Sequence, residues 1–209
     1  LLKDYNVIGD LFDFINNDKY WSKLYKNEVT KEIKNREYYY SYKNKHWIYC
    51  LDRSTKINIT KQLCMAIQEL QNKNIVHCDL KTNNILYNSD NNRLVIIDFG
   101  ASHKLTKEYN IISKDRGTIG YSCEKLNSGY CSKKSDIFSL AVCITEVWCG
   151  GIWQEGKTYK ECRLELLKSL RCLSKKEPEL EKILRNCIHL NNEKRPTIKT
   201  VIKKINQIL

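Results

Sequence analysis

Proline occurs only twice and glycine only eight times in the sequence, which excludes collagen-like and Pro/Gly-rich low-complexity chains. No apolar run approaches the roughly 18 residues that a membrane-spanning helix needs, so no transmembrane segment is expected. The basic stretch, apolar run and small-residue cleavage site of a secretory signal are missing as well. The first residue is Leu1 rather than Met, as expected of a fragment or a mature piece. Ten cysteines are present without a single Cys-x-x-Cys pair, and structural zinc is therefore weakly supported. Acidic side chains are in deficit, with 24 Asp and Glu against 36 Lys and Arg.

What remains is a composition of 42% hydrophobic and 29% charged residues over 209 positions, enough for one main core but short of two domains of common size. The formal charge of +12 attracts anions in general: phosphates, acidic proteins, anionic membrane or nucleic acid. Basic and acidic residues are interspersed, and no zinc-finger, Rossmann or RNA-recognition signature accompanies them. A general basic face is the better reading, with nucleic acid the disfavoured partner. Cys64, Cys143, Cys149 and Cys187 fall in apolar, helix-like stretches, where buried free thiols are expected. That usage points to a reducing compartment, hence an intracellular and cytoplasmic protein.

Along the chain, Leu11, Phe14 and Ile15 share one face of a short helix that Asp10 can cap. Residues 16–56 depart from this pattern: basic residues outnumber acidic ones, and Tyr38, Tyr39, Tyr40 and Tyr42 precede Trp47 and Tyr49. The segment reads as a basic, aromatic-rich insertion; packing onto the core is the plainer role, and base stacking the lesser one. Ile59, Leu63, Ala66, Ile67 and Leu70 then recur at helical spacing, predicting a core-facing helix over 59–72. A compact loop follows over 75–86, and Leu94–Ile97 reads as a buried strand. Further helices are expected over 136–149, 159–170, 177–190 and 197–209, the last marked by Pro196 just before it.

Two short runs carry the chemistry: His77-Cys78-Asp79-Leu80-Lys81-Thr82-Asn83-Asn84 and Asp98-Phe99-Gly100. Their order and spacing resemble the carboxyl-terminal lobe of the eukaryotic protein kinase superfamily, in which Lys and Asn follow the catalytic Asp at the second and fifth positions and a metal-binding Asp comes after a strand pair. The resemblance implies that Asp79 accepts the substrate hydroxyl proton, that Lys81 steadies the transferring phosphate, and that Asn84 and Asp98 hold magnesium with ATP. It also implies supporting roles for His77, Glu124, Asp136 and Arg195. Glu124 would pair with Arg195, and Asp136 would accept hydrogen bonds from the catalytic-loop backbone. Gly117-Thr118 and Tyr121-Ser122-Cys123-Glu124 resemble the end of an activation segment, with Cys123 in place of the usual Pro. Cys78 stands where many regulated kinases carry an Arg that binds a phosphorylated activation segment, so phosphorylation of that segment is not expected to be required.

Lys81 and Gly117-Thr118 favour the serine/threonine class within that resemblance, and the basic balance favours an acidic protein substrate. Leu1–Ile15 resembles the hinge and first helix beyond it. Neither a Gly-rich phosphate loop nor an assignable Lys/Glu pair is present. The expectation is a mainly α fold spanning 1–209: a partial protein kinase domain of hinge and carboxyl-terminal lobe, with a small β element at the catalytic cleft and the amino-terminal lobe absent. Its function would be transfer of the ATP γ-phosphate to a protein hydroxyl, requiring the amino-terminal lobe as partner. The alternative is a catalytically silent, kinase-like scaffold.

Overall fold

The computed structural model describes residues 11, 15, 38–41, 46–49, 51–88, 91–114, 116–150 and 158–209. Strands β1 (Tyr38–Ser41) and β2 (His46–Tyr49) form an antiparallel hairpin with Tyr38 opposite Tyr49. The rest of the 16–50 part of the expected insertion lies outside the described residues, as does most of the expected helix over 10–15. Within that helix Leu11 and Ile15 are helical and buried.

Helix α1 (Arg53–Asn72) starts six residues before the expected Ile59 and inside the 16–56 span. The reason is a cap that hydrophobic spacing does not reveal: Asp52 accepts from the Thr55 backbone N–H at 3.0 Å and from the Ser54 and Thr55 hydroxyls, satisfying donors that a helix start leaves open. After α1 come short antiparallel pairs. β3 (Ile75–Val76) pairs with β6 (His103–Lys104), and β4 (Ile85–Asn88) with β5 (Arg93–Ile96). β7 (Tyr109–Ile111) pairs with β8 (Tyr130–Ser132), beyond the short helix α2 (Glu124–Asn127). Of the strand expected as buried, only Ile96 is fully covered, because β5 belongs to a two-stranded ribbon with a single inner face.

Four helices complete the body: α3 (Lys133–Cys149), α4 (Tyr159–Leu173), α5 (Pro178–Cys187) and α6 (Ile198–Ile208). Helix α3 is buried at every position from Ser135 to Trp148 and packs against α1, α4 and α5. A helix that is apolar all round belongs at the centre of a fold, and α3 is the axis on which the others hang. Reciprocal bonds between Ser132 and Ser135 cap it three residues earlier than expected, and a like box of Thr158 with Glu161 caps α4, which starts at Tyr159 as expected. Amphipathic α5 and α6 cover each other, and α6 also packs on α1. The architecture is mainly helical with short antiparallel hairpins, and no large β-sheet occurs among the described residues.

All nine described cysteines are free. Cys64, Cys143 and Cys187 are buried as expected, and burial pushes their thiols up, to about 12 for Cys187. Cys149 is half-buried, with its thiol on the Ser169 carbonyl.

Candidate active site

The site is assembled on the loop between β3 and β4. Asn74, in the left-handed region with φ 57°, turns the chain from the end of α1 into β3. Cys78 is also left-handed at φ 66°, a conformation that a non-glycine residue holds only when its surroundings enforce it. The enforcing group is Asp136, fully buried in the first turn of α3. Its Oδ2 accepts from the His77 backbone N–H at 2.7 Å, and its Oδ1 from that of Cys78 at 3.2 Å. Burial pushes the Asp136 carboxyl above the usual carboxylate range, against the pull of these two donors.

The buried His77 ring locks the next turn. Its Nε2 lies 3.0 Å from the Ile97 carbonyl, and its Nδ1 accepts from the Asp79 backbone N–H at 3.3 Å. These bonds define a neutral imidazole protonated at Nε2. The ring sits 5.0 Å from that of Phe99, so one histidine joins the loop carrying Asp79 to the segment carrying Asp98.

Three side chains converge on Asp79. Thr118 donates its hydroxyl to Asp79 Oδ1 at 2.7 Å, Lys81 Nζ lies 3.1 Å from Oδ2, and Asn84 Nδ2 lies 3.3 Å from Oδ2 and 2.9 Å from the Asp79 carbonyl. Lys81 Nζ also donates to Thr118 Oγ1 at 2.9 Å. The carboxylate and ammonium are thus held close together in a half-buried setting, and Asn84 keeps its Oδ1 without a donor among the described residues. Asp98 stands at φ 60° and ψ 72° and is exposed, with one carboxylate oxygen accepting from the Gly100 N–H at 3.3 Å.

Beneath the loop lies a buried group that sequence reading missed. Glu146, in the middle of apolar α3, accepts from Tyr121 Oη at 2.6 Å and from Thr82 Oγ1 at 2.9 Å. It ties the loop after β3 and the segment before α2 to the central helix, and burial beside this carboxylate pushes the Tyr121 phenol upward. The signal was there to find, since a lone acid within Ile137–Trp148 requires a buried partner.

Glu124 and Arg195 are not brought together. Glu124 opens α2 on the exposed surface. Arg195 is buried, donates to the His189 and Lys134 carbonyls at 2.8 and 2.9 Å, and lies over the Phe138 ring at 5.1 Å. Carbonyl dipoles and an aromatic face satisfy the guanidinium in place of a carboxylate. Cys78, in turn, places its Sγ 3.5 Å from that of Cys131 on β8, both thiols being buried. Contact with that thiol, together with burial, drives the Cys78 thiol upward, so it is a neutral packing group.

A central buried helix that anchors a loop of carboxylate, ammonium and carboxamide, with an aspartate displayed after the following strand pair, has the architecture of a kinase-like carboxyl-terminal lobe. The chain belongs to the protein kinase family: residues 4–205 match the family described as "Protein kinase domain". It is 30% identical over 179 residues to "Probable serine/threonine-protein kinase gdt2" of Dictyostelium discoideum, covering 81% of this chain and 11% of that protein. To "Serine/threonine-protein kinase ppk34" of Schizosaccharomyces pombe it is 28% identical over 149 residues, 68% of this chain and 41% of the relative. To "Serine/threonine-protein kinase Nek10" of Mus musculus it is 35% identical over 141 residues, 66% of this chain and 12% of the relative. The aligned regions therefore span less than half the length of each of these relatives. No described helix is long and apolar enough to cross a membrane.

Proposed function

We propose that this chain forms the catalytic, carboxyl-terminal lobe of a protein serine/threonine kinase that transfers the ATP γ-phosphate to an aliphatic hydroxyl of a protein, with an amino-terminal lobe completing the nucleotide cleft. The carrying observation is the cluster of Lys81, Asn84 and Thr118 around the Asp79 carboxylate. In this reading a substrate hydroxyl takes the position at Asp79 that the Thr118 hydroxyl now uses, and its proton passes to the carboxylate. Lys81 turns its ammonium to the equatorial oxygens of the transferring phosphoryl group, where negative charge concentrates. Positioning is the larger part of the task, which is why Asp136, His77 and Glu146 hold the loop so firmly.

The donors left for a cation fit magnesium. Asn84 Oδ1 and the Asp98 carboxylate are hard oxygen ligands, few in number, as suits an ion that keeps several waters and binds through substrate phosphates. Magnesium would supply neutralisation of phosphate charge during transfer. The cleft would thus use Asp79 and Lys81 for chemistry and Asn84 and Asp98 for the metal-nucleotide. Nine free thiols among the described residues support a reducing, cytoplasmic setting, and the net basic charge supports an acidic substrate.

The test is phosphate transfer by the full-length protein from magnesium-ATP to a mixed Ser/Thr/Tyr peptide pool, with the products separated by phosphoamino acid. Phosphoserine and phosphothreonine are expected. Phosphotyrosine alone would refute the class, and no transfer by a folded, nucleotide-exposed protein would leave a kinase-like scaffold in its place.

A further inference from the structure

A groove of about 680 Å³ lies between the end of α1, the segment after β6, and the first turns of α3 and α6. It shares no lining residue with the catalytic loop or with Asp98. Its walls carry Lys107, Lys133, Lys134 and Lys199 against Glu108 and Glu193, over a floor that includes the buried Ile137 and Ile198. Lys133 Nζ donates to Asn74 Oδ1 at 2.7 Å and Lys134 Nζ to the Arg195 carbonyl, both uncharged acceptors. Lys107 and Lys199 are exposed. None of the four has an ion-pair partner among the described residues.

Their placement runs against helix electrostatics. Lys133 and Lys134 occupy the first two positions of α3, and Lys199 the second position of α6. There the helix dipole is positive, and cations are disfavoured. Burial, followed by the neighbouring Arg195, holds the Lys134 ammonium below its ordinary pKa even though Glu193 and Glu108 oppose the shift. Three lysines at positive helix ends, all lining one cavity and outnumbering its two glutamates, break a local rule without an ion pair among the described residues, and such departures mark functional surfaces.

We infer that this groove docks an acidic, carboxylate-rich peptide segment of a partner protein. The lysines receive Asp and Glu side chains, while Asn72, Thr106 and Thr197 on the walls offer hydrogen bonds to a peptide backbone. A nucleic acid suits the groove poorly. Glu108 and Glu193 would face a continuous phosphate backbone, and the aromatic lining residue, Tyr130, is already stacked on Tyr109 with centroids 4.5 Å apart, leaving no open platform for a base.

The experiment measures fluorescence anisotropy of a labelled Asp/Glu-rich dodecapeptide with the full-length protein, beside the isosteric Asn/Gln peptide and a single-stranded oligonucleotide of equal length. Lys107→Glu/Lys199→Glu alters two exposed side chains with no hydrogen bond to lose. Lys175→Glu/Lys203→Glu makes the same change in net charge at exposed positions outside the groove. The acidic peptide should bind in a salt-sensitive manner, lose about tenfold or more in affinity with the groove pair, and change less than about twofold with the control pair. Transfer to a short neutral peptide should be the same in both variants, so failure of docking is distinguishable from failure of catalysis. Equal losses in the two variants, equal binding of the Asn/Gln peptide, or tighter and equally groove-dependent binding of the oligonucleotide would each overturn the assignment.

Discussion

Replacing Asp136 with Asn tests how the loop after β3 is held in its left-handed turn at Cys78. The carboxylate offers two acceptor oxygens, at 2.7 Å from the His77 N–H and 3.2 Å from the Cys78 N–H. An amide of the same size offers one, and its NH2 group must face a second donor. One charge-assisted hydrogen bond worth about 1.5–3 kcal/mol is lost, and a buried N–H is left unsatisfied at a further cost of about 1–3 kcal/mol. Against this, the neutral amide removes the desolvation that pushes the Asp136 carboxyl upward, which returns part of the loss. The net expectation is a destabilisation of about 2–3 kcal/mol, read as a lower urea midpoint at unchanged slope. Phosphate transfer should fall as well, because Asp79 is one residue beyond the loosened turn. The sharper reading compares hydrogen exchange at His77 and Cys78, which should lose protection ahead of α3. An Asp136→Asn protein with wild-type midpoint and wild-type protection at both amides would refute the reasoning.

Gly117→Ala should be destabilising by about 1–2 kcal/mol or more, since φ is +83° and the added Cβ would stand 2.7 Å from both the Cys78 carbonyl and Ser122 Cβ; thermal melting and activity measure it together. Tyr121→Phe removes the hydroxyl on buried Glu146 and should cost about 1.5–3 kcal/mol by urea titration, with no change expected in the pH dependence of transfer. Thiol reagent should label Cys172 rapidly, and Cys64, Cys143 and Cys187 only in denaturant, as mass spectrometry of labelled peptides would show. With its thiol pushed up to about 12, Cys187 keeps its proton in the fold while the unfolded chain loses it from about pH 9. The unfolded state then binds fewer protons, so this contribution is intact below about pH 9 and declines as pH rises toward 12. Cys187→Ala should show a shallower alkaline loss of urea midpoint than wild type.

Much of the site was legible because it is written locally. Asp79, Lys81 and Asn84 lie within six residues, and Asp98 follows one short strand pair, so the resemblance to protein kinases could be read from local order, and the structure does bring Lys81 and Asn84 onto Asp79. The helical body was legible from apolar periodicity, and the boundaries erred where caps rather than apolar residues decide them, at Asp52 and Ser132. Contacts set by tertiary packing were not legible. Nothing in the chain order says that Arg195 meets carbonyls and Phe138 instead of Glu124, or that Cys78 meets Cys131. The groove lysines were visible only as part of a diffuse positive charge; it took the convergence of two helix starts to gather them on one surface.

The most direct test of the central claim is magnesium-dependent phosphate transfer by the full-length protein, measured side by side for wild type, Asp79→Asn and Asp98→Asn, with thermal melting of each. Asp79→Asn keeps the side-chain volume but removes the proposed proton acceptor, for an expected loss of about 100-fold to 10,000-fold in rate, and Asp98→Asn removes an exposed anionic oxygen from the proposed metal donors. Both variants should melt close to wild type and transfer little phosphate. Equal transfer by all three proteins would contradict it.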